Sequence, residues 1–237
     1  MREDILKNKN VLITGATGGL GHAIAKELAP QVKSLFLSGR HPEKLTSIKE
    51  ELSVFNRNIT TFTADFCRDN EIFKLVETAS QEKIDVLVNS AGIFPLKNLA
   101  NSNLEDYSNC FDVNVKAPFL LSSALSKHMK EKRWGRIINI CSSSSYNGSE
   151  DTGLYCASKH ALLGLSRSFY KELKDFNVRV FSISPGSIQT DMGKTDTRQN
   201  FKTFLKPEEI AEYISFIISF DKELISEEIR LNRATIE

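Results

Sequence analysis

The sequence predicts an α/β fold: one doubly wound parallel β-sheet flanked by helices on both faces, in a single domain. Three observations carry this expectation. Short apolar runs alternate with longer stretches of helical period. The short runs are almost wholly apolar, as strands covered on both faces must be. The 237 residues contain no repeat, no low-complexity linker and no composition shift that would divide them. Residues 1–237 are therefore expected to form one domain, with residues 187–206 as a lid over the substrate.

Val11 to Thr14 predicts the first strand, followed by a glycine-rich turn and a helix with Leu20, Ile24 and Leu28 on one face. Leu35 to Leu37 is the second strand. Pro42 opens a helix to about Val54, with Leu45, Ile48 and Leu52 at helical spacing. Ile59 to Ala64 is the third strand, and Asp69 is the expected cap of a helix carrying Ile72, Leu75 and Val76. Val86 to Val88 is the fourth strand. A long helical region, Leu104 to Lys132, is expected to break near Pro118. Arg136 to Ile140 is the fifth strand, Leu154 to Phe176 a long helix, and Val178 to Ile183 the sixth strand. Pro207 starts a helix to about Ser219, and Glu228 to Leu231 is the last strand. Right-handed crossovers between such strands give the doubly wound sheet.

Lys and Arg number 31 against 30 Asp and Glu, a net charge of +1. That balance argues against nucleic acid or an anionic membrane as a partner. Met1 to Asn10 lacks the apolar core of a signal peptide, and Tyr213 to Phe220 is too short to span a bilayer. Cys67, Cys110, Cys141 and Cys156 form no C-x-x-C pair, which predicts free thiols in a reducing, cytoplasmic setting. His22, His41, His128 and His160 lack metal-ligand spacing, so no metal site is expected.

Ligands of a doubly wound sheet bind beyond the carboxyl ends of its strands. After the first strand comes Thr14-Gly-Ala-Thr-Gly-Gly-Leu-Gly21. Glycines let the backbone approach a diphosphate, and the helix that follows offers unpaired N–H groups to it. Arg40 follows the second strand, with Gly39 where an acid would hold the ribose hydroxyls of NAD. A guanidinium there suits a 2′-phosphate, so NADP(H) is favoured and NAD(H) stays open. Tyr155 and Lys159 share one helical face at i and i+4. A free phenol has a pKa of ~10, and an ammonium within about 4 Å can lower it by several units at an effective dielectric of ~20.

These motifs resemble the short-chain dehydrogenase/reductase family, in its compact single-domain, Rossmann-type branch. The resemblance runs from about Asn10 to Leu231. It implies that Gly15, Thr17, Gly18, Gly19, Leu20 and Gly21 cradle the dinucleotide, and that Asp65 with Phe66 meets its adenine. Asn89, Ala91 and Gly92 match the family's N-N-A-G motif, with Ser90 in the second position. Pro185, Gly186, Ile188 and Thr190 match its P-G-x-x-x-T segment and are implied to hold the nicotinamide. Tyr155 is implied as acid/base and Lys159 as its activator and ribose contact. Ser142, thirteen positions before the tyrosine, would polarise the substrate oxygen, and Asn114 would hold a water near the lysine.

The implied reaction is reversible hydride transfer between nicotinamide and a small carbonyl or alcohol. A non-catalytic NADP-binding scaffold or sensor is the rival. Phe94, Tyr146, Met192, Phe201 and Phe204 are candidate substrate-pocket side chains. A β-ketoacyl thioester, a hydroxysteroid-like ketone and a xenobiotic carbonyl all remain open. A homo-oligomer, dimer or tetramer, is expected, although the tail Ile229 to Glu237 departs from the family's common acidic, glycine-rich ending.

Overall fold

The structure, a computed structural model, describes residues 5–234. Met1–Asp4 of the expected leaderless N-terminus and Thr235–Glu237 of the tail lie outside the described residues.

The strands are β1 (Asn10–Thr14), β2 (Ser34–Gly39), β3 (Ile59–Thr63), β4 (Val86–Asn89), β5 (Gly135–Ile140), β6 (Val178–Pro185) and β7 (Glu228–Leu231). They form one sheet in the order β3-β2-β1-β4-β5-β6-β7, every pair parallel. Between β3 and β4 the chain crosses to the other side of β1, so the strand order reverses between β1 and β4. That reversal leaves a crevice at the strands' carboxyl ends.

Period-two alternation splits the strands between two cores. Val11 and Ile13 of β1, Val86 and Val88 of β4, and Ile138 and Ile140 of β5 face α1 (Gly19–Leu28), α2 (Pro42–Leu52) and α7 (Pro207–Ser219). Leu12, Leu87 and Ile137 face the opposite layer, built largely from α3 (Asp69–Gln81) and α5 (Ala117–Lys132). The helical spacing of Leu20, Ile24 and Leu28 buries that stripe of α1 against the sheet. Each such buried Leu or Ile contributes roughly 1.5–3 kcal/mol.

One local expectation is corrected and another is located. Asp69 is the first helical residue of α3 rather than its cap: Arg68 holds the cap position, and the Asp69 carboxylate instead accepts from Lys116 Nζ at 2.6 Å. A first-turn carboxylate still favours the positive end of the helix dipole. The break in the long helical region comes before Pro118. Here α4 (Leu104–Phe111) passes through one π-helical turn, Asp112–Lys116, into α5. Pro118 sits in the first turn of α5, where a missing N–H costs little. Asn103 and Asp106 close a capping box at the start of α4. After Thr152, α6 (Gly153–Leu173) runs back along the sheet.

Candidate active site

A cleft of about 560 Å³ opens at the carboxyl ends of the strands. Its floor at one end is the turn after β1. Gly15 has φ +67°, a left-handed conformation, and a Cβ there would lie 2.6 Å from Ala91 Cα. A Cβ on Gly21 would lie 2.2 Å from Gly15 O, and one on Gly19 would lie 2.8 Å from Thr190 Cγ2. The glycines therefore let three chain segments meet: the turn, the end of β4 and the segment after β6. Gly18 caps α1 with no side-chain bond, and the first turn of that helix has no acidic residue. A helix start of this kind offers unpaired N–H groups to an anion.

Of the residues expected to hold a dinucleotide, Gly15, Thr17, Gly18, Gly19, Leu20, Gly21, Arg40, Phe66, Ala91, Gly92, Pro185, Gly186, Ile188 and Thr190 line this cleft. The residues present fit a dinucleotide: an uncapped helix start beside a glycine-rich floor, a cationic rim at Arg40, and an unbroken path from there to Tyr155. Three further expected residues stand behind the wall. The Asp65 carboxylate accepts the Cys67 N–H at 3.1 Å, closing its own turn. Asn89 is buried and donates to Asn139 Oδ1 at 2.7 Å and Ser122 Oγ at 3.3 Å, which ties β4 to β5 and α5. Asn114, in the π-turn, accepts from Ile93 N at 2.9 Å and donates to Ile93 O and Ser158 Oγ, both at 3.0 Å. It thereby fixes the 90–94 loop against α6. Its Oδ1 and Lys159 Nζ flank the same spot: a Cβ on Gly92 would lie 3.4 Å and 3.7 Å from them.

At the far end of the cleft Ser142, Tyr155 and Lys159 converge. Ser142 follows β5 and caps the short turn Ser143–Ser145, accepting from Ser144 N at 3.1 Å. Tyr155 and Lys159 lie one turn apart on α6, and Phe94 packs edge-on against the Tyr155 ring at 4.7 Å. Burial pushes the Tyr155 phenol up to about 12, opposed by a hydrogen bond with Ser142. Burial also holds the Lys159 amine below its ordinary value. Lys159 Nζ donates to Ile140 O at 2.7 Å and lies 5.7 Å from the Tyr155 ring centroid. Burial, not the ammonium, sets the direction of the phenol's shift here. Desolvation disfavours both charged forms, and the amine spends its bond on a backbone carbonyl.

Two candidate pocket residues are corrected. Tyr146 points away from the cleft: its hydroxyl donates to Glu228 Oε2 at 3.1 Å and Arg230 stacks on its ring at 3.4 Å. Phe201 packs on Phe204 at 5.4 Å and stays off the lining. Phe94, Met192 and Phe204 do line it. The cleft also recruits Ser90 of the Asn89–Gly92 motif, Thr152, Gln199 of the expected lid, and His41 and Lys44, which sequence reasoning missed. Lys44 had a signal, a second cation in the first turn after Arg40.

The family model described as short chain dehydrogenase matches residues 9–200. The chain belongs to the short-chain dehydrogenase family. It is 34% identical over 232 residues to the 3-oxoacyl-(acyl-carrier-protein) reductase of Rickettsia bellii, covering 93% of both chains. Among solved structures it resembles a metagenomic short-chain oxidoreductase in complex with NADP, at 28% identity and a TM-score of 0.84, covering 97% of this chain and 99% of that one. It also resembles an alcohol dehydrogenase from Thermococcus sibiricus complexed with 5-hydroxy-NADP, at 27% identity and a TM-score of 0.87, covering 98% of both. The family makes this short-chain dehydrogenase an oxidoreductase. Among its described residues no helix is long and apolar enough to cross a membrane, and no acidic, His or Cys cluster is placed to hold a metal.

Proposed function

We propose that the protein is an NADP(H)-dependent oxidoreductase acting on a carbonyl or alcohol, with Tyr155 as the proton-transfer group. The observation that carries this is one continuous cleft with the glycine turn and Arg40 at one end and Ser142, Tyr155 and Lys159 at the other. NADP(H), when bound, supplies or accepts the hydride. Gly15 to Gly21 and the start of α1 would hold its diphosphate. Arg40, with Lys44 beside it, would hold the 2′-phosphate by charge-assisted bonds. Gly39 supports NADP(H) over NAD(H): a Cβ there would lie 2.8 Å from Thr17 Oγ1, so an acidic side chain has no room unless Thr17 moves. The NADP named with both structural relatives supports the same preference.

In the reducing direction Tyr155 donates its proton to the carbonyl oxygen, and Ser142 orients that oxygen. A phenol held near 12 is protonated at neutral pH and suits this donation. Lys159 would bind the ribose of the nicotinamide, and Asn114 would hold a water beside it. Phe94, Met192 and Phe204 give the substrate end apolar walls that suit an acyl chain, and residues 187–206 act as its lid. A 3-oxoacyl thioester is the first substrate class to test, in keeping with the Rickettsia relative. Leu104, Tyr107 and Phe119 remain exposed on α4 and α5 and support a homo-oligomer, dimer or tetramer. The free cysteines support a reducing cytoplasmic setting.

The test is NADPH oxidation across 3-oxoacyl thioesters, ketones, quinones and aldehydes, with Tyr155→Phe alongside. The expected loss in kcat is about 10²–10⁴-fold, with NADPH binding retained. Full turnover in the variant would remove Tyr155 from the chemistry. Tight NADPH binding with no turnover of any carbonyl would favour the scaffold.

A further inference from the structure

We propose that Arg233 is a positioning residue: from beyond the last strand it clamps residues 199–204 and so fixes the outer wall of the substrate end of the cleft. The inference rests on the oxidoreductase function proposed for that cleft and adds a residue that does not itself line it.

The guanidinium engages three side chains at once. Nη1 donates to Thr203 Oγ1 at 2.7 Å, Nη2 donates to Gln199 Oε1 at 3.1 Å, and the group lies 5.4 Å from the Phe204 ring centroid. Gln199 and Phe204 line the cleft, and Phe204 is 5% exposed. Gln199 Oε1 also accepts from Ser187 Oγ at 3.0 Å, so Arg233 braces an amide that spans the segment from its start to its far side. Phe204 in turn backs the turn after Met192: a Cβ on Gly193 would lie 3.3 Å from its ring.

The base of the segment is already secured. Leu205 N donates to Ser187 O at 2.9 Å, Gln189 N to Leu205 O at 2.8 Å, and Gly186 N to Leu231 O at 2.9 Å. The outer stretch carries short-range ion pairs, Asp191–Lys194 and Asp196–Arg198. The exposed Asp191–Lys194 pair contributes little, whereas Arg198 grips Asp196 through both carboxylate oxygens, at 2.7 Å and 3.0 Å, but only between residues two apart in the chain. A forked guanidinium with two acceptors and an aromatic face contributes more, and a lysine cannot reproduce the fork. Arg233 thus ties the outer wall to the segment beyond the last strand, which the wall's own short-range pairs do not.

The experiment uses the full chain with Arg233→Ala, Arg233→Lys and Thr203→Val, the last removing one acceptor of the fork. Trypsin cleavage after Lys194, Arg198 and Lys202 is followed by mass spectrometry, beside substrate KM, kcat and the NADPH dissociation constant. In Arg233→Ala, cleavage at those three sites and the substrate KM should each rise about tenfold. The kcat and NADPH affinity should change by less than about threefold. Arg233→Lys should recover part of the effect, and Thr203→Val should show part of it. Unchanged cleavage in Arg233→Ala and Thr203→Val overturns the clamp. So does faster cleavage spread evenly along the chain, which would mark general unfolding. If the unmodified protein reduces no carbonyl, the proposed activity fails while the cleavage pattern still decides the clamp.

Discussion

Tyr155 and Lys159 show how one environment acts on two charges. Both sit where water is scarce, so the phenol resists losing a proton and the amine resists holding one. The sign of the pH dependence follows. In the proposed mechanism reduction uses the protonated phenol, the form that burial favours. Its kcat/KM should stay level, as far as Tyr155 is concerned, from about pH 6 to pH 9. Oxidation uses the ionised phenol, so its kcat/KM should climb about tenfold per pH unit until the phenol titrates. The pH at which that climb levels off measures how far the loaded site stabilises the phenolate. Parallel stopped-flow profiles in both directions check this. A level profile for oxidation would show that another group takes the proton.

At the scale of elements, the junction of β1 and α1 is the tightest joint of the site. Its backbone passes so close to itself that the position of Gly21 has no space for a methyl group. Gly21→Ala should cost about 1–3 kcal/mol of stability, as overpacking does, and weaken NADPH binding as the turn widens. Urea denaturation and a fluorescence titration measure the two effects. Unchanged stability would mean that the turn yields at no cost. The π-turn Asp112–Lys116 plays a different part: it aims Asn114 inward, where its amide spans the 90–94 loop and Ser158. Asn114 there braces the cleft wall from behind.

Across the whole molecule, the end of the sheet opposite the cleft is held by buried ion pairs, one of them built on Asp221. Asp221, in the connection from α7 to β7, accepts from buried Arg136 at 2.6 Å and from Trp134 at 3.1 Å, and lies 3.6 Å from Arg179. Burial alone pushes Asp221 up, but the Arg136 charge and hydrogen bond outweigh it and hold the carboxyl below its ordinary value. Burial likewise lowers Arg136 to about 10. Asp221→Ala leaves that guanidinium without its ion-pair partner and should cost about 3–5 kcal/mol, with little effect on NADPH affinity. Because the folded pKa of Asp221 is depressed, its contribution is present above about pH 4 and fades as the pH falls through the folded value. The stability gap between the two proteins should therefore narrow in acid. Denaturation curves at several pH values check this, and a gap that holds constant in acid would remove Asp221 as its source.

Periodicity and spacing determined the seven strands, their burial on two faces, the glycine turn and the shared helical face of Tyr155 and Lys159. These are local properties, set by which residues alternate and which lack a side chain. Tertiary structure alone decided that Tyr146 turns to Glu228 and Arg230 and that Arg233 reaches back to Gln199. It also set the direction in which the phenol and the amine are shifted. Spacing places two groups side by side, but their charge depends on the solvent and carbonyls around them, and those come from segments far apart in the chain.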